Sequence, residues 1–110
     1  MPISTARVAT DRPGRYAKQL AAHMGRKIEA AYSDETGRGT LVFGAGTATL
    51  EAQADALLLT VESERENLPG LEDVVGRHLV RFGARDELVI EWQRDNGEAG
   101  LVHRNDDPEA

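Results

Sequence analysis

The chain has 110 residues, 40% of them hydrophobic and 29% charged, with a formal net charge of −6. That length suits a single domain, which at this size buries roughly two-thirds of its unfolded surface and holds one core unaided. There is no cysteine, which excludes disulfides, thiolate zinc sites and cysteine nucleophiles.

The N-terminus, MPISTARVAT, lacks the apolar stretch of a signal peptide. The longest apolar run, Ala56–Leu59, falls far short of the ~20 residues a membrane helix needs, so a cytoplasmic protein with no membrane partner is expected. The segment 94–110 holds five acids and two bases, and the body 1–93 is also net acidic. An acidic body argues against nucleic acid as a partner, because binding to phosphates needs a basic surface.

Ser4–Ala9 has weak alternation and is expected to form a strand. Thr10 or Asp11 offers a helix N-cap and Pro13 suits the first turn. Tyr16, Leu20 and Met24 recur at four-residue spacing with Ala17 and Ala21 beside them, which predicts an amphipathic helix; Gly25 is expected to end it in a left-handed cap. Period-two segments follow. Ile28, Ala30 and Tyr32 share one face, then Leu41 and Phe43, then Ala48, Leu50 and Ala52, then Leu57, Leu59 and Val61. Turn-forming stretches at Ser33–Gly39, Gly44–Gly46 and Gln53–Asp55 separate them. Connections this short predict an antiparallel meander. A second helix is expected from about Asn67, with Pro69 in its first turn, Leu71, Val75, His78, Leu79 and Phe82 on one stripe, and Gly83 closing it. Leu88, Ile90 and Trp92 predict a last strand. From Arg94 the chain is polar and without periodicity, which predicts a disordered acidic tail over 94–110 behind a single domain over 1–93.

The expected fold class is α+β: a two-layer structure with an antiparallel sheet of five to six strands, two helices on one face, and the order β-α-β-β-β-β-α-β. The uncovered face then carries Glu29, Ala31, Val42, Thr47, Thr49, Glu51, Leu58, Thr60, Glu62, Val89 and Glu91. Its glutamates repel phosphate. Ala31, Val42, Leu58 and Val89 are its candidate interface for a homodimer or protein partner, against the plainer alternative of a solvated sheet with scattered aliphatics.

The glycine-rich stretch Gly37–Gly46 lacks a Gly-Lys-Ser/Thr and a following helix start, so it reads as hairpin turns and not as a phosphate loop. His23 and His78 each sit at the border of a helical apolar stripe. Helices lying side by side bring both imidazoles to one seam, where with Glu72 they form the one candidate metal set. Without H-x-x-x-H spacing no metal or other cofactor is expected, and the plainer alternative is a pair of structural histidines near helix C-termini. Lys18, Arg26 and Lys27 lie near the end of the first helix, and Arg77, Arg81 and Arg85 near the end of the second. Cations suit helix C-termini, and the group also fits an anionic ligand. The candidate ligand-binding residues are therefore His23, Lys27, His78, Arg81 and Arg85.

These pieces resemble a bacterial family known as domain of unknown function 2218. Thr10-Asp11-Arg12-Pro13 with Tyr16, Lys18-Gln19-Leu20, His23 and Lys27 carry the likeness. So do Leu71-Glu72-Asp73-Val74-Val75-Gly76, His78-Leu79, Arg81-Phe82, Arg85 and Trp92, with Phe43-Gly44 and Leu50-Glu51-Ala52 between. The likeness spans about residues 5–93, and Gly44-Ala45-Gly46-Thr47 departs from it by a longer link. The resemblance implies no established activity. It implies an association with iron and siderophore uptake, and it includes both histidines. Two functional readings follow: a non-enzymatic binding or accessory module linked to iron or siderophore handling, or a small metal- or ligand-dependent enzyme using His23 and His78.

Overall fold

Among the described residues, seven strands and two helices follow in order: β1 (Ile3–Ala9), α1 (Pro13–Met24), β2 (Glu29–Ser33), β3 (Arg38–Phe43), β4 (Gly46–Ala52), β5 (Ala56–Ser63), α2 (Leu68–Phe82), β6 (Val89–Arg94) and β7 (Ala99–Arg104), with a 3-10 turn at Arg65–Asn67 ahead of α2. The structure, a computed structural model, describes residues 2–82 and 88–104. The strands form one antiparallel sheet in the order β2-β3-β4-β5-β1-β6-β7. The predicted meander is β2 to β5. The first strand is inserted between β5 and β6, in the interior of the sheet.

Strand alternation sends one set of side chains to a single buried layer. Leu41, Leu50, Leu57, Leu59, Val61 and Ile90 on the strands have no exposure, nor do Leu20 on α1 and Val75 and Leu79 on α2. Burial of each such side chain contributes roughly 1.5–3 kcal/mol. The helix α1 covers β2 to β5, and α2 covers β1 and β5 to β7. The opposite face carries the residues expected there. Register aligns Thr40, Thr49, Thr60 and Thr5 in one row across four adjacent strands, with Ala31 at one end and Gln93 at the other.

A buried carboxylate locks α2 to the second half of the sheet. Glu72 has no solvent exposure. The Ser4 hydroxyl donates to its Oε2 at 2.6 Å, Arg94 donates from Nε and Nη2 at 3.1 Å each, and the Leu101 amide donates to Oε1 at 3.1 Å. Four donors thus come from β1, β6 and β7. Burial alone would raise this carboxyl, but the hydrogen bonds from Arg94, Ser4 and Leu101 and the Arg94 charge outweigh it and hold it below the ordinary carboxylate range.

Four expectations are corrected. Neither Thr10 nor Asp11 caps α1. Arg12 occupies that position without a side-chain bond, while the Thr10 hydroxyl accepts from the Arg12 amide at 3.1 Å. Gly25 is right-handed, with φ −62°, because the chain tightens through one more turn in which the Ile28 amide reaches the Met24 carbonyl at 3.0 Å. The sheet has seven strands, not five or six, in an order the meander alone does not give. Of the segment 94–110 expected to be a disordered tail, residues 94–104 instead turn back and form β7, and 105–110 lie outside the described residues. Gly97 takes φ 91°, and the Glu98 amide bonds the Asn96 side chain at 2.9 Å. Asn96-Gly97 is a tight-turn signal in its own right. Gly83, expected to close α2, lies outside the described residues.

Two stability tests follow. Removing the Glu72 carboxylate takes from the Arg94 cation, 14% exposed, its buried partner and leaves it only the exposed Glu98 at 3.6 Å, so Glu72→Ala should lower unfolding free energy by roughly 3–5 kcal/mol in urea titration. Gly76 packs on the His103 ring, where an added Cβ would stand 2.7 Å from Cε1. Gly76→Ala should therefore destabilise by about 1–3 kcal/mol, although alanine is the better helix former, and His103→Ala should relieve that cost in the double variant.

Candidate functional site

The last turns of both helices meet over the sheet. His23 closes the inner edge of α1 because it lies three residues past Leu20 and one before Met24, both buried. His78 stands one residue before buried Leu79 on α2. The two imidazole centroids are 4.9 Å apart with ring planes at 44°. Phe82, one turn beyond His78, lies 5.3 Å from His23 in an edge-on arrangement and 6.5 Å from His78. All three rings are half-buried. They form a small aromatic cluster open to solvent at one side.

The His78 Nδ1 is 2.7 Å from the Val74 carbonyl. A carbonyl only accepts, so Nδ1 carries the proton and donates, and the neutral ring keeps a lone pair on Nε2. Burial, followed by the charge His78 carries whenever it is protonated and by the charges of Arg26, Lys27 and Arg81, holds the His23 imidazole below its ordinary range. Arg26, Lys27 and Arg81 are exposed around the cluster. The arrangement therefore offers imidazole and guanidinium donors, an ammonium and three ring faces at one place, a combination suited to holding an anion that has a flat apolar part.

Four of the five ligand-binding candidates, His23, Lys27, His78 and Arg81, fall at this seam; Arg85 lies outside the described residues. Phe82, expected only as a core residue, is part of the cluster, and Arg26 joins it electrostatically. Glu72 does not belong to the seam. Its carboxylate is fully used by Ser4, Arg94 and Leu101 beneath β7, so the candidate metal set of His23, His78 and Glu72 is not assembled. Among the described residues no group of three or more His, Cys, Asp and Glu side chains is placed to hold a metal.

The third histidine carried no pattern in the sequence. His103, on β7, contacts Asp73 at 3.2 Å, and its Nδ1 is buried without a partner. Ala31, Val42, Leu58 and Val89 do share the open face, but they do not adjoin as one patch. Leu58 has Glu51 and Arg7 opposite it, and Val42 has Glu29 and Thr47. No described helix is long and apolar enough to cross a membrane.

A family model described as an uncharacterized protein conserved in bacteria, DUF2218, matches residues 5–93. The NMR structure of PA4090 from Pseudomonas aeruginosa is similar at a TM-score of 0.70 and 33% identity, over 84% of this chain and 96% of that one. No curated protein matches.

The lowered proton affinity of His23 has a consequence for stability. The unfolded imidazole titrates near 6.5. Above that pH neither state carries the proton; as pH falls, the unfolded chain takes it first and stability drops until the folded ring protonates too. The urea midpoint should fall between about pH 7.5 and about pH 5.5, and His23→Gln should lose part of that fall. An identical fall in the variant would place the dependence elsewhere.

Proposed function

We propose that this chain, which belongs to the DUF2218 family of bacterial proteins, is a binding or accessory module. Its ligand is an anionic small molecule with a flat apolar part, taken at the seam of His23, His78 and Phe82 and steered there by Arg26, Lys27 and Arg81. The distribution of charge carries this reading. Residues 12–27 and 68–82, the helix layer, hold seven of the thirteen lysines and arginines but only two of the nineteen acids. Both acids are occupied: Glu72 by Arg94, and Asp73 by Arg77 and His103. A chain of net charge −6 thus concentrates positive potential on one side. Helix dipoles account for part of this. Two C-termini supply about one negative charge between them, against three full cations and two imidazoles at the seam.

The association with iron and siderophore uptake comes from the family resemblance and selects the ligands worth testing first. A second reading, an enzyme using His23 and His78 in acid/base roles, is favoured by one feature: the bond to Val74 leaves the His78 Nε2 lone pair available beside His23.

The test is a two-dimensional NMR titration with a panel of inorganic phosphate, citrate, an aryl carboxylate and a ferric catecholate siderophore. The flat anions should shift the resonances of His23, His78 and Phe82, with affinity falling as salt rises. Arg81→Glu should weaken binding about tenfold or more, in line with loss of a charge-assisted contact. A panel that moves none of these resonances removes the seam as a binding site.

A further inference from the structure

We propose that β2 forms the interface of a symmetric dimer, pairing antiparallel with β2 of a second copy about a two-fold axis at Ala31. Among the described residues the sheet order leaves β2 at an edge, with β3 as its one neighbour in the sheet. Alternate N–H and C=O groups of an edge strand point away from the sheet, where they template another strand. Edges are normally blunted by lysine, proline or a bulge. The opposite edge has such features: β7 shows a register shift against β6 and ends in His103 and Arg104. In contrast, β2, Glu-Ala-Ala-Tyr-Ser, holds register with β3 through all five residues and has neither lysine nor proline.

The sequence of β2 fits itself. With Ala31 opposite Ala31, each Ala30 faces a Tyr32, so a small side chain meets a large one. Each Glu29 faces a Ser33, and like charges do not oppose each other. Next to Ser33 on the same face stands Arg38, exposed at 69% even while bonded to Glu51. The Glu29 of one copy therefore approaches the Arg38 of the other, and symmetry repeats the pair. Beside the strand lies a shallow depression of about 340 Å³ lined by Ala31, Tyr32, Ser33, Arg38, Thr40 and Thr49, which gives the incoming Glu29 and Ser33 side chains space. The axis stands perpendicular to the sheet. Both helix layers, with both seams, thus lie on the same side of one continuous sheet. Five residues of edge pairing make a small interface, so the dimer is weak and dissociates on dilution.

Sedimentation velocity across a dilution series tests this, with circular dichroism confirming that each variant is folded. The wild type should pass from dimer to monomer. Ala31→Lys, which sets like charges face to face at an exposed position, should be monomeric throughout. Glu29→Arg should weaken the dimer as well. An equimolar mixture of Ala31→Lys and Ala31→Glu should dimerise more strongly than either alone. Leu58→Glu, in the middle of the open face, should leave the dimer unchanged. A wild type that stays monomeric at every concentration, or an Ala31→Lys variant that dimerises like the wild type, overturns the proposal. A dimer abolished by Leu58→Glu but not by Ala31→Lys overturns it too, and moves the interface to the open face. None of these outcomes depends on whether the seam binds a ligand.

Discussion

The Glu72 carboxylate takes four hydrogen bonds in a site with no solvent exposure, and the second half of the molecule is arranged around it. Moving an ionised carboxylate out of water costs several kcal/mol even after relaxation. Only a nearly complete set of donors offsets that. The set needs Ser4 on β1, Arg94 at the end of β6 and the Leu101 amide on β7 to be in place at once. Strand β1, the C-terminal hairpin and α2 are therefore coupled: losing β1 or the hairpin leaves the buried charge short of donors, and losing α2 leaves the donors without their acceptor. The arrangement is more specific than apolar packing, which tolerates sliding. It fixes the rotation of α2 about its axis.

That rotation decides the seam. Once Glu72 points beneath β7, His78 and Phe82, six and ten residues further along the helix, are directed to its other side, toward α1. They meet His23 there because Leu20 and Met24 hold α1 on the sheet by the same face. The two halves of the molecule thus contribute different things. The β2–β5 meander with α1 is held by apolar burial and strand register. The β1–β6–β7 part with α2 adds a charged lock and a close glycine contact at Gly76. Two carboxylates on one helix, Glu72 and Asp73, both face partners within the fold. This leaves the positive charge around the histidines locally uncancelled.

Much of this was legible because it is periodic. Alternation placed Leu41, Leu50, Leu57, Leu59 and Val61 inward, and Glu29, Thr49 and Leu58 outward. Four-residue spacing identified the buried stripe of α1. The approach of His23 to His78 followed from their position at the borders of two stripes that share one sheet. Features that rest on single residues were not periodic and did not show. The hairpin β6–β7 is announced only by Asn96-Gly97, in a segment whose composition is otherwise polar. Glu72 looks like any helical glutamate, because nothing local reveals that Arg94, twenty-two residues away, will reach it. The Thr10 cap failed because the hydroxyl turns to the Arg12 amide before the helix begins.

By itself the sequence determined the fold class, the meander of four strands, the two amphipathic helices and the division of the sheet into a buried side and a threonine- and glutamate-rich side. These follow from hydrophobic periodicity, which is a local property of the chain. The tertiary structure alone decided the insertion of β1 between β5 and β6, the seventh strand, the burial of Glu72 beneath β7 and the exposure of β2 as an edge. Each of these depends on which distant segments compete for the same hydrogen-bonding partners, and that competition is settled only when the sheet closes around its core.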